Sequence, residues 1–256
     1  MIDASAPVGS LAASNPHLRT VLEDLGIDYC CSEERTVQDV ATAEGLTMMD
    51  LESAIGLVRE DGREWPHEAW LVEPLSALIA HLEVGHATKA AAVSRISALA
   101  EMVSPFLSRQ VAFGALLAAF HELIIELVPH TQREELVIFP YVLDMESAAM
   151  GRGPLPRRPD GGLRALVHPL SSEHRRIQHA LSKMRAAWRD LHLSDHDEAG
   201  PRVLSEMREL TREVHEFMNL EMFVLFPRAV ALEERLFAER AQRESPARSS
   251  EVTFAR

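Results

Sequence analysis

The sequence predicts an all-α protein, a small helical module followed by an up-down four-helix bundle, on three observations. Apolar residues make up 46% of the 256 positions but aromatics only 5%, and the many Ala and Leu favour helix over sheet. Long stretches place apolar residues at steps of three and four, the spacing of one helix face. A phrase also recurs: Glu134-Glu135-Leu136-Val137-Ile138-Phe139-Pro140 reads against Glu221-Met222-Phe223-Val224-Leu225-Phe226-Pro227, with the glutamate five residues before Phe-Pro in both. Each copy follows a helical stretch with an inward histidine, His86 48 residues before Glu134 and His174 47 before Glu221. The chain therefore divides into two helix-pair halves.

A chain of this length holds one or two domains and can bury a sizeable core. Its formal net charge of −13 argues against generic attraction to nucleic acid or to anionic membrane surfaces. The opening MIDASAPVGSLAASN lacks a basic n-region and an apolar h-region, and no apolar run is read as reaching the roughly 18 residues of a spanning helix. The expectation is a cytoplasmic protein with neither a nucleic-acid nor a membrane partner. Its two cysteines, Cys30 and Cys31, are adjacent, which makes a structural disulfide between them strained and suits reduced thiols.

Residues 1–14 are small and polar and are expected to be mobile. Asn15-Pro16 then reads as an N-cap followed by Pro at the first helical position, and Leu18, Val21, Leu22 and Leu25 form a stripe ended by Gly26. Thr36 caps a helix to Glu44 that Gly45 closes, and Thr47 caps a third running to about Arg59. These elements define an N-terminal module over residues 15–60. Residues 60–73 link it to the bundle, over residues 74–240. The first bundle helix, about 74–102, carries Leu75, Leu78, Ile79, Leu82, His86, Val93 and Ile96 on one face; His81 lies toward its flank and remains an alternative ligand to His86.

The second bundle helix, about Arg109 to Val142, contains the stretch on which the site rests. Leu116, Phe120, Leu123, Leu127, His130, Glu134 and Val137 follow one another at steps of four and three, so a histidine and a glutamate interrupt a buried stripe. A carboxylate buried among apolar groups costs several kcal/mol unless a cation or a network compensates it. Pro129 deprives the Ile125 carbonyl of its partner and should bend the axis. His121 falls on the opposite face. A Gly/Pro/Arg loop at 146–162 leads to the third helix, about 163–191, where His174 interrupts the stripe of Leu163, Leu166, Leu170, Ile177 and Leu181, with His168 and His179 off that face. The fourth, from Pro201 to about Arg240, presents Leu210, Val214, Phe217, Glu221 and Val224, and the tail beyond is expected to be disordered. His86, His130, Glu134, His174 and Glu221 thus meet at one level of the bundle, as a set without thiolate that fits iron or manganese and also zinc.

The segment NPHLRTVLEDLGIDYCC and the two short helices after it resemble the N-terminal domain of the iron-sulfur-cluster repair di-iron proteins, the ScdA-type family. The HxxxE motif ahead of Phe-Pro, the second glutamate with Phe-Pro and the inward histidines resemble the hemerythrin-like domain of the same family. The resemblance covers nearly all of residues 15–232. It implies a non-haem di-iron centre held by His86, His130, Glu134, His174 and Glu221, a role in restoring clusters damaged by nitric oxide or oxidants, and damaged iron-sulfur proteins as partners; a homodimer is compatible with it. Ser32 and Glu33 depart from the glycines usual after the cysteine pair. Phe217 stands where a histidine four residues before Glu221 is expected, and Leu107 near where another family histidine falls. Cys30 and Cys31 read either as two small buried hydrophobes or as a thiol site that is reactive or contacts a metal centre. The alternative function is a hemerythrin-like sensor or carrier of O2 or NO.

Overall fold

A computed structural model of the chain describes residues 2–25, 27, 29, 35–60, 68–107, 110–191 and 199–244. The expectations for Gly26, for Cys30, Cys31, Ser32 and Glu33, for much of the linker and for the tail beyond residue 244 fall outside the described residues. Among the described residues every regular element is helical, and the one β contact is an isolated bridge between Pro7 and Thr36.

Four short helices precede the bundle: α1 (Val8–Ser14), ahead of the expected 15–60 module, and within it α2 (Pro16–Asp24), α3 (Val37–Ala43) and α4 (Met48–Glu60). Helix α1 corrects the expectation of a mobile start. Val8, Leu11 and Ala12 lie at i, i+3 and i+4, and Val8 and Ala12 are fully buried, so seven residues gain a packing face that their composition obscures. Asn15 Oδ1 accepts the Leu18 N–H at 3.1 Å at the start of α2. Thr36 and Asp39 form a reciprocal capping box on α3, and Thr47 with Asp50 repeats it on α4. Leu18, Leu22, Tyr29, Val37, Val40 and Leu51 make the module's own core.

The bundle comprises α5 (Leu75–Leu107), α6 (Val111–Arg133) continuing through a π turn into α7 (Phe139–Ala149), α8 (Gly162–Arg189), and α9 (Ala199–Leu220) continuing through a second π turn into α10 (Phe226–Glu244). Helix α6 packs on α8, and α5 on α9. The first helix runs on through Pro105 to Leu107, and the second reaches Ala149, further than the sequence pattern suggests. Two apolar clusters fill the interior. One includes Ile96, Phe120, Met184 and Leu210; the other includes Leu78, Phe139, Leu170, Leu220 and Phe226. Helix Leu75–Leu107 and the stretch Val111–Ala149 are long and apolar enough to cross a membrane by length and composition alone.

Both π turns trace to the repeated Phe-Pro. A helical Pro has no N–H and crowds the carbonyl four residues back. Widening the turn by one residue relieves both problems, and the Phe139 N–H bonds the Glu134 carbonyl while the Phe226 N–H bonds that of Glu221, each five residues back. The helix axis therefore departs from α geometry after Glu134, whereas α6 continues through Pro129. The wider turn also overturns the expected place of Val137, which is 46% exposed while Ile138 is fully buried.

Candidate metal centre

Each π turn begins at a glutamate of the repeat, and both glutamates are buried between the two apolar clusters. His130 lies one α-turn before Glu134, His174 comes from α8 and His86 from α5. One ligand-type atom from each of His130, Glu134, His174 and Glu221 falls within 4.8 Å of the others. His130 Nε2 is 3.4 Å from Glu134 Oε2 and 3.7 Å from Glu221 Oε2; His174 Nε2 is 3.2 Å from Glu221 Oε2 and 3.0 Å from His130 Nε2. His86 joins at the edge, its Nε2 3.5 Å from Glu134 Oε2. The structure thus brings all five sequence-derived residues together, with His86 attached through Glu134.

The outer ring nitrogens explain the orientation of two imidazoles. His86 Nδ1 pairs with Glu135 Oε1 at 2.9 Å, and His130 Nδ1 with Glu173 Oε2 at 3.0 Å, while Arg133 pairs with the other oxygen of Glu173. A carboxylate accepting from Nδ1–H leaves the Nε2 lone pair directed inward, toward the glutamates. Sequence reading missed Glu135 and Glu173. Glu135 looks like an ordinary helix-surface acid, and Glu173 is readable only as the residue beside His174; neither reveals its partner until α5, α6 and α8 are packed.

The electrostatics show what the cluster lacks. Both oxygens of Glu134 and Glu221 Oε2 are buried without a hydrogen-bond partner. Burial, then the charge of Glu221, pushes the Glu134 carboxyl up to about 8. Burial also opposes charge on Glu221, but the His130 and His174 imidazoles outweigh it and hold that carboxyl well below the usual range. Without a cation the cluster is held by protons instead: Glu134 is kept neutral by burial and by Glu221, and the His130 and His174 rings face Glu221 as donors, so a metal ion would take the place of those protons. The donor set, with buried oxygens left unsatisfied, fits a metal ion and offers a bridging carboxylate for a second.

Among the described residues, neither His81 nor His215 joins the cluster. His81 stacks between Trp70 and Phe217, with ring centroids 5.0 and 5.3 Å away. His215 pairs with Gln178 Oε1 at 2.6 Å, because the π turn lies beyond Glu221 and leaves the helix between 215 and 221 regular. The ring of Phe217, where the repeat would place an imidazole, lies 6.5 Å from that of His86.

Comparison with known proteins agrees with this arrangement. Residues 77–229 match the model of the hemerythrin HHE cation binding domain, a span that includes all five residues of the cluster. The iron-sulfur cluster repair protein YtfE of Cronobacter sakazakii is 25% identical over 246 residues, covering 89% of this chain and 97% of that protein. YtfE of Escherichia coli is 25% identical over 244 residues, covering 88% and 96%. With its match extending over more than half of its length, the chain belongs to the hemerythrin HHE cation binding domain family.

Proposed function

We propose that this protein is a cytoplasmic iron-sulfur cluster repair protein that holds non-haem iron, two ions when fully loaded, between His86, His130, Glu134, His174 and Glu221. The observation that carries the reading is the pair of buried glutamates with unpartnered oxygens facing three imidazole Nε2 atoms. Relatives named for cluster repair, aligned along nearly the whole chain, support the choice of iron and of damaged iron-sulfur proteins as partners. In this reading residues 15–60 form the module that contacts the partner through Cys30 and Cys31, and residues 74–240 form the iron-holding bundle.

When bound, iron supplies a labile ion for delivery to a damaged cluster. The chain's own residues keep that ion retrievable. Glu135 and Glu173 hold His86 and His130 by their outer nitrogens, so the rings stay aimed when the site empties. Phe217 contributes no donor atom, which leaves the α9 half of the cluster one ligand short of the α6 half. The test is repair itself: anaerobically purified protein loaded with ferrous iron should reactivate an enzyme whose [4Fe-4S] cluster has been damaged by nitric oxide. Iron binding with gas-induced absorption changes but no reactivation would select an O2 or NO sensor instead, and absence of bound iron would sink both.

A further inference from the structure

Lys89 is the one buried lysine among the described residues, and nothing in the cluster described above uses it. Its residue is 3% exposed, and its Nζ has no hydrogen-bond partner. An ammonium group in that position costs several kcal/mol unless something compensates it, so the fold keeps it at a penalty. Lys89 lies one turn after His86 on α5. Its Nζ sits 3.2 Å from the centroid of the Phe217 ring, the ring that replaces the missing imidazole. The arrangement is built into the backbone of α5 as well: a Cβ on Gly85 would fall 1.8 Å from Phe217 Cε2, so only glycine leaves room for the ring there. Gly85, Phe217 and Lys89 form one packed unit against His86.

The acidic groups around this unit come from two helix lines of the bundle, α9 with its π turn and α6 with its own. Glu213 and Glu216 on α9 flank Lys89, and Glu221 and Glu134 face it from the cluster; burial nonetheless lowers its amine to about 8. Cation–π contact with Phe217 offsets part of the desolvation but accepts none of the three N–H bonds. A donor so placed, beside a cluster lacking one protein ligand, is suited to an acceptor that enters with the metal. We infer that Lys89 is an anion-holding residue, which donates a hydrogen bond to a small monoanion bound at the metal cluster on the Phe217 side. The inference rests on the cluster holding iron, as proposed above.

The test uses azide as the probe on the full-length, iron-loaded ferric protein. Parent, Lys89→Met and Lys89→Arg are first compared by elemental analysis, then titrated with azide and followed by its charge-transfer absorption. Lys89→Met should retain the parent's iron-to-protein ratio yet bind azide about tenfold or more weakly, the loss of a charge-assisted hydrogen bond. Lys89→Arg, which keeps a donor cation, should remain within a few-fold of the parent. Equal iron and equal azide affinity in Lys89→Met overturns the inference and leaves the iron reading intact. Loss of iron in Lys89→Met with unchanged azide affinity per iron also overturns it, since that is the signature of a lysine that only holds the packing of the site. Failure of the parent to bind iron overturns the iron reading and the inference with it. Far-UV circular dichroism of the iron-free forms separates these results from misfolding, and Lys89→Leu, apolar and without a donor, replaces Lys89→Met if the latter does not fold.

Discussion

At the scale of single residues, the cluster is organised by what each donor does when no cation is present. Glu134 is the residue with least to satisfy it, fully buried and with both oxygens unpartnered. Glu134→Ala and His130→Ala should each remove most of the bound iron, measured as the metal-to-protein ratio, because one α-turn supplies both a ring nitrogen and the carboxylate nearest His86 and His130. Glu173→Gln keeps the shape but weakens acceptance from His130 Nδ1–H and the pairing with Arg133; iron affinity in a chelator competition should fall by about ten- to a hundredfold. Phe217→His should slow iron loss to the same chelator, whereas His215→Ala should leave it unchanged, since His215 is engaged with Gln178. The five cluster residues were legible in the sequence because a polar side chain on an apolar stripe is an anomaly that periodicity exposes. Glu135, Glu173 and Lys89 were not, because a charged residue next to a ligand looks the same in sequence whether it meets water or a neighbouring helix.

At the scale of elements, the Phe-Pro repeat accounts for how two glutamates come to face one another. The sequence showed the repeat, but an α-periodic reading could not show that the turn after each glutamate widens, and it therefore placed Val137 inside, where Ile138 lies instead. The same reading located the helix caps at Asn15, Thr36 and Thr47 well, because capping depends on neighbours three residues away. It missed α1, whose burial depends on contacts with the rest of the module. Restoring the N–H with Pro140→Ala should favour a regular α-helix through residue 140, raising the thermal stability of the iron-free protein by roughly 1–3 kcal/mol. The same change should lower iron retention, since Glu134 no longer begins a widened turn. The packing of α5 on α9 offers a second check. Gly85→Ala should destabilise the bundle by about 1–3 kcal/mol in denaturant melts, and the same change made in a Phe217→Ala background, itself less stable, should cost little more if the Cβ and the ring compete for one space.

At the scale of the molecule, the N-terminal module and the bundle meet at the metal-bearing helix itself. Tyr29, fully buried and next in sequence to Cys30, stacks on Phe223 with ring centroids 5.2 Å apart. Phe223 packs against the cores of both module and bundle, and it lies two residues after Glu221 inside the second π turn. Glu221, held among the imidazoles when a cation is bound, would fix the start of that turn, and the same turn presents the surface on which Tyr29 rests. Filling the cluster should therefore steady the module. Limited proteolysis is expected to cut within residues 1–60 more slowly in the iron-loaded protein than in the iron-free form, by several-fold at equal protease. Phe223→Ala removes the shared ring without touching a donor atom, so it should keep the parent's iron content while raising the cleavage rate of the module in both forms. The ratio between loaded and empty rates should then fall toward one. An unchanged ratio in Phe223→Ala would mean that iron and the module communicate by some route other than the Tyr29–Phe223 contact.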